Sequence, residues 1–254
     1  MMISVVTVVF NRANVIKDAL ESVQRQSYRD YEHVIQDGGS TDGTLEIIES
    51  VANEKTRIES APDGGIYDAI NKGIARCRGN VVGLMHSDDF FADDDVLKRV
   101  ADVMTTQDVD GVYGDLQYVS ASSERKVIRH WSSGTYTRSK LRNGWMPPHP
   151  TLYLKREVFE RYGLYDTELF ISADYEAMMR WLYKHEIRLA YIPEVLIKMR
   201  VGGASNGSVK QLIEKSRQDL IAIRRHEIGG LRTLASKNLR KLDQFLKRPA
   251  GSGQ

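Results

Sequence analysis

Two adjacent carboxylates, Asp88 and Asp89, stand just past the apolar run Val81-Val82-Gly83-Leu84-Met85. A run of that length, introduced by Gly79-Asn80, reads as a buried strand of a parallel sheet. Ligands of open α/β sheets gather at the carboxyl ends of the strands. Two acids at such an end suit a hard cation held against an anionic substrate. The structural alternative is a pair of acids that caps the next helix or opens a solvated turn.

The elements that must position these acids alternate between strand and helix. Residues 3–10 are rich in β-branched side chains and predict a first strand. Asn14 is placed to cap a helix whose buried face is Val15, Ile16, Ala19, Leu20 and Val23. Strands are expected at 31–36, 57–61 and 81–85, with helices after each, among them 66–75 and about 94–104. Strand-helix alternation with short links implies right-handed crossovers and a mostly parallel sheet. After Gly111 the rhythm changes: 111–119 and 126–131 read as a hairpin around Ser120-Ala121-Ser122-Ser123. Helices at 156–161 and 173–184 and a strand at 187–192 follow.

Composition sets the frame. The 254 residues are 41% hydrophobic and 28% charged, enough for one full core with or without an appendage. One cysteine, Cys77, excludes an intramolecular disulfide framework and fits a reducing compartment. No stretch approaches the roughly 20 apolar residues of a membrane span, and the N-terminal run reads as a strand rather than a signal peptide. Residues 209–248 hold eleven Lys and Arg against four Asp and Glu, which leaves the preceding body net acidic. An acidic body lacks the basic track that nucleic acid requires, so no nucleic-acid partner is expected.

A glycine-rich segment, Asp37-Gly38-Gly39-Ser40-Thr41-Asp42-Gly43-Thr44, follows the second strand. It has neither the phosphate-loop lysine nor G-x-G-x-x-G spacing, so no Walker site or dinucleotide fingerprint is present. Asp37 could accept the imide N–H of a uracil ring while the glycines let the ligand approach; the alternative is a turn whose Ser-Thr-Asp cluster caps the next helix. In order along the chain stand TVVFNR, IQDGGSTDGT, DGGIYDAINKGI, GNVVGLMHSDDFF and ISADYE, with HP and RVGGAS segments. This succession, over about residues 3 to 205, resembles the inverting family 2 glycosyltransferases of GT-A fold. It is most similar to the bacterial branch that builds polysaccharide and lipopolysaccharide chains.

The resemblance implies a Rossmann-like, mostly parallel sheet flanked by helices. Residues 1–208 would form the transferase domain, with a nucleotide-binding half to about 110 and an acceptor-binding half beyond it. Phe10, Arg12 and Asp37 would line a nucleobase pocket, and Asp68 and Asn71 would face the nucleotide-sugar, with Ser87 and Asp89 beside them. Asp88 matches the second acid of the family's D-x-D metal motif, whose first acid is here His86. The implied cofactor is a divalent cation, Mn²⁺ or Mg²⁺; a histidine ligand would suit Mn²⁺, whereas Mg²⁺ prefers oxygen. His149 is a further candidate ligand and Arg200 a charge clamp on the diphosphate. Asp174 matches the general base that takes the acceptor hydroxyl's proton, with Glu176 in reserve; without the resemblance it reads as an acid in a helix's first turn. Trp145 would stack on an acceptor sugar or belong to the core.

The implied partners are a nucleotide-sugar donor, UDP-linked, and a glycan or polyprenyl-linked acceptor in cell-surface polysaccharide assembly. Residues 209–254 predict a basic, amphipathic helical tail. Its stripes suit an anionic leaflet, which would place the protein in the cytoplasm and peripherally on the inner face of the cell membrane. They suit equally helices that pack on the body or pair a homodimer. Two other functions stay open at this level: a non-catalytic nucleotide-sugar-binding subunit and a sugar nucleotidyltransferase.

Overall fold

The computed structural model describes residues 1–121, 123–201 and 209–246. The Gly202–Ser205 part of the RVGGAS loop and the basic residues Lys247 and Arg248 lie outside these residues. Nine strands form one sheet in the order β3-β2-β1-β4-β8-β6-β9-β5, with β7 hydrogen-bonded to β6. Strands β1 (Ile3–Val9), β2 (Tyr31–Asp37), β3 (Thr56–Ser60) and β4 (Val81–Leu84) run parallel. In register, Val9 lies beside Asp37 and Asp37 beside Ser60, so the strand ends form one common edge. Both faces of β1 are buried, as expected of its continuous β-branched run.

Helices α1 (Ile16–Gln24), α2 (Thr44–Val51), α3 (Ile66–Ala75) and α4 (Val96–Thr106) supply the crossovers. The face of α1 is the expected one, Ile16, Ala19, Leu20 and Val23 being buried. Its expected cap is not: Val15 occupies the N-cap and no side chain caps the helix. Asn14 is exposed instead.

The sequence reading missed two short strands. β8 (Tyr153–Lys155) runs antiparallel between β4 and β6 (Gly111–Ser120), and β5 (Asp89–Phe91) closes the sheet against β9 (Leu189–Arg200). A side chain at Gly83 would strike the Tyr153 ring, so glycine there is what lets β8 dock on β4. β6 and β7 (Ser123–Trp131) make the expected hairpin, while β9 runs on to Arg200, well past the expected end. Asp89 therefore belongs to a strand and not to a helix-capping turn.

Two helices, α6 (Arg156–Tyr162) and α7 (Ala173–Met178), follow α5 (Arg138–Arg142), and α7 continues as a π-helical stretch, Met179–Lys184. The C-terminal α8 (Val209–Arg225) and α9 (Leu231–Leu246) pack back on the body. Ala222, Ile223 and Ile228 join the same buried cluster as Tyr175, Met178 and Trp181. Leu212, Ile213, Leu231 and Leu239 remain exposed.

Candidate active site

At the exit of β1 the chain turns through Asn11, whose φ of 51° is in the left-handed region tolerated by asparagine. Its Oδ1 accepts from Thr41 N at 2.9 Å and its N–H donates to Ser40 Oγ at 2.8 Å, lacing this turn to the glycine-rich segment. Arg12 N donates to Thr44 Oγ1, and the Arg12 guanidinium donates to Asn11 O at 3.2 Å. Asp42 accepts from Thr44 N, but the N-cap of α2 is Gly43 and no side chain of the Ser-Thr-Asp cluster caps it. Phe10 is 57% exposed, and its ring and the Asp63 carboxylate both lie against Gly38.

Asp37 is placed differently from expectation. It is fully buried, and its carboxylate accepts from Gly39 N, Ser40 N, Ser40 Oγ and Ser60 Oγ. Those bonds occupy the acceptor sites assigned to a uracil imide, so Asp37 here braces the loop floor. Asp68 and Asn71 are likewise committed to the protein. Asp68 accepts from Lys72 and Gly64 N at 2.8 Å each, and the Lys72 bond, then that from Gly64, holds its carboxyl below the usual range. The Asn71 amide pairs with the Tyr165 backbone through two bonds, 2.8 and 3.0 Å, tying α3 to the segment that leads into α7.

The groups that do converge come from four separate elements. His86 leaves β4, and His149 opens the 3-10 turn, His149–Thr151, before β8. Their Nε2 atoms are 3.2 Å apart. His149 Nδ1 lies 3.9 Å from Asp174 Oδ2 at the N-terminal turn of α7. Tyr67 of α3 donates to Asp174 Oδ1 at 3.2 Å. Burial, reinforced by His149, pushes the His86 imidazole down to about 3; burial also lowers His149, against the pull of Asp174. Both rings are thus neutral near neutral pH. Burial alone would raise the Asp174 carboxyl, but His149, Lys215 and Lys237 together hold it below its ordinary value. It is ionised and can accept a proton.

Ser87 is buried in the turn after β4, where Asp89 N donates to His86 O. Asp88 is half-buried in that turn, and its backbone carbonyl accepts from Arg200 at 3.4 Å. Arg200 also pairs with Asp18 of α1 and lies over the Phe90 ring at 4.9 Å, so it spans α1 and the acid turn. Asp89 is 1% exposed with neither oxygen hydrogen-bonded. Burial, with Asp88 adding, drives its carboxyl well above the usual range despite the opposing Arg200.

Two proposed acceptor contacts are corrected. Trp145 is buried, donates to Ser133 O at 2.9 Å and packs against Tyr113 and Tyr136: it is core. Glu176, 2% exposed, is held by Arg180 through two bonds of 3.1 Å and by His226 at 2.7 Å. It cannot serve as a reserve base. Tyr67 was not anticipated, because helical spacing shows which face is buried but not which remote residue meets it. Among the described residues no group of three or more His, Cys, Asp or Glu is arranged to hold a metal ion, and no helix is long and apolar enough to cross a membrane.

Known proteins share this fold. The model of the family described as glycosyl transferase family 2 matches residues 4–163. A PGL/p-HBAD biosynthesis glycosyltransferase of Mycobacterium bovis is 30% identical over 210 residues, 81% of this chain and 79% of that one. The crystal structure of Staphylococcus aureus TarS with UDP superposes with a TM-score of 0.70 at 19% identity, over 96% of this chain and 72% of that one. A Pyrobaculum calidifontis mannosyltransferase in complex with GDP-Man and Mn²⁺ gives a TM-score of 0.67 at 17% identity, over 93% and 69%. The GT-A architecture is thus shared with enzymes of distant sequence. With the family model covering more than half of its length, the chain belongs to glycosyl transferase family 2 and is a glycosyltransferase.

Proposed function

We propose that this enzyme moves a sugar from a nucleoside-diphosphate sugar, UDP-linked, to a hydroxyl of a glycan or lipid-linked acceptor, with inversion at the anomeric carbon. The observation that carries the reading is the meeting of His86, His149, Tyr67 and Asp174 at the carboxyl edge of the parallel strands. Asp174 takes the acceptor's proton as its oxygen attacks the anomeric carbon from the face opposite the leaving group. The bond from that carbon to the phosphate oxygen breaks, and the nucleoside diphosphate departs with the electron pair. Tyr67 and His149 orient the carboxylate. The exposed Phe10 ring is the stacking surface for the base.

The donor class is supported by the UDP complex of TarS and the GDP-Man and Mn²⁺ complex of the mannosyltransferase. The acceptor class is supported by the mycobacterial relative, named for PGL/p-HBAD biosynthesis. His86 and His149 would offer a divalent cation two imidazole ligands, with the donor's diphosphate oxygens completing the set, since no third protein ligand is arranged with them among the described residues. Their Nε2 atoms stand 3.2 Å apart, and imidazole nitrogen suits a transition metal such as Mn²⁺. Such a cation, when bound, would neutralise charge that develops on the leaving diphosphate. Exposed Leu212 and Ile213 on the basic α8 support contact with an anionic membrane, where a lipid-linked acceptor resides.

The test is release of nucleoside diphosphate from a panel of UDP- and GDP-sugars with Mn²⁺ or Mg²⁺ and a lipid-linked acceptor. Asp174→Asn is expected to lower kcat by about 10²–10⁴ with UDP affinity unchanged. Wild-type inactivity across the panel, or full activity of Asp174→Asn, sinks the reading.

A further inference from the structure

The segment leading into and through α7 carries Asp174, and α8 and α9 grip it on both sides of that residue. Before it, Ile171 N donates to Gln218 Oε1 at 3.0 Å, and Arg225 pairs with Asp166 at 2.5 Å. After it, His226 meets Glu176. The remaining contact is unusual. Lys237 of α9 is 3% exposed, and its ammonium lies 2.6 Å from Asp219 Oδ1 and 3.3 Å above the ring centroid of Tyr175, the residue next to Asp174. Tyr175 itself is fully buried.

A buried ion pair is poor evidence of stability, since apolar residues of similar volume do as well or better. It is better explained by what it positions. Burial pulls the Lys237 ammonium down to about 7 and Asp219 opposes that pull; in its charged form it attracts the Tyr175 ring face, and Asp219 holds it there. Gly144 is part of the seat: with φ of +74°, it has its backbone so close to Lys237 that an added carbon would strike the lysine's backbone. The lysine is therefore located from three sides, by α8, by α7 and by the loop after α5.

We propose that Lys237, locked by Asp219, is a positioning residue for catalysis, and that α8 and α9 act through it to hold Asp174 in the orientation that accepts the acceptor's proton. This assignment rests on the proposed base role of Asp174. Its consequence is that the C-terminal helices belong to the catalytic apparatus whether or not they also touch a membrane.

The experiment compares Lys237→Met, Lys237→Arg and the double variant Asp219→Leu/Lys237→Met in the full chain. Lys237→Met leaves Asp219 buried without a partner and lowers Tm; the double variant removes both charges and restores it. The expected result is a kcat reduced about tenfold or more in the double variant, with donor KM within about twofold of wild type, and partial rescue by Lys237→Arg. Recovery of kcat together with Tm overturns the proposal, because the pair is then merely structural.

A second arm needs no substrate. Amide hydrogen exchange in residues 171–178 should rise about tenfold in the double variant while β1, β2 and β4 keep their protection. Unchanged exchange in that segment also overturns the proposal. If wild-type protein turns over none of UDP-glucose, UDP-N-acetylglucosamine or GDP-mannose, the donor assignment fails, and the exchange arm alone decides whether Lys237 positions α7.

Discussion

The Nε2 atoms of His86 and His149 face each other at 3.2 Å, although 63 positions separate the two residues in the chain. Two neutral rings in that relationship can share one proton or bind one cation together. The second use sets a preference: imidazole suits Mn²⁺ and other transition metals, and Mg²⁺ favours oxygen. Calorimetric titration in the presence of UDP should show tighter binding of Mn²⁺ than of Mg²⁺. His86→Asp should narrow that ratio by roughly tenfold. Equal narrowing by His33→Gln, a residue on β2 away from the site, would exclude the assignment.

Phe10 and Asp37 are expected to separate by readout. Phe10 is exposed and free to stack, so Phe10→Ala should weaken UDP by about tenfold or more, in line with ~1–3 kcal/mol for base stacking, with Tm unchanged. Asp37 holds loop donors from inside. Asp37→Ala should lower stability by about 1–3 kcal/mol, with UDP affinity falling only as the loop loosens. Thermal unfolding beside UDP titration reads both.

Asp174 and Glu176 are two residues apart on α7 and should also part company. Glu176→Ala removes the carboxylate shared by Arg180 and His226 and should cost about 3–5 kcal/mol, as does breaking other buried pairs. Its rate per folded molecule should fall far less than that of Asp174→Asn, since Glu176 helps hold the segment but takes no proton. Asp174→Asn should do the reverse. Urea midpoints set against single-turnover rates distinguish the two.

The buried histidines set an acid sensitivity. Burial pushes His33 and His86 each down to about 3, against an ordinary value of 6.5. Between those values the unfolded chain binds protons that the folded chain does not, so stability is present above pH 6.5 and falls as pH is lowered through the window. The slope reaches about 1.4 kcal/mol per pH unit for each histidine. Glu176, held near 2, adds its own loss only below its unfolded value of about 4.5. Denaturant midpoints at pH 6.5, 5.5 and 4.5 should fall in step, and His33→Gln should remove one histidine's share.

The parallel half of the fold was legible because its strands are long β-branched runs and its helices repeat apolar residues at helical spacing. α3 was expected at 66–75 and is found there. β5 and β8 were not legible: each is three residues long and exists because a neighbouring strand offers it hydrogen bonds. Spacing and periodicity alone do not indicate that His149 returns to His86; only the resemblance grouped the two. The polar residues misplaced by sequence reasoning share one cause. Asp37, Asn71 and Glu176 each satisfy groups remote in sequence, from Ser60 to Tyr165 and His226. A side chain that can bind a ligand can equally bind its own protein, and only the tertiary fold decides.

The grip of α8 on the segment before and after Asp174 also orders events in time. A chain emerging from the ribosome completes its β1–β4 edge, and with it the stacking surface at Phe10, long before Gln218, His226 and Lys237 have been made. On the proposed roles of Phe10 and Lys237, donor capture would precede competence for chemistry during synthesis, with the final helices completing the site last.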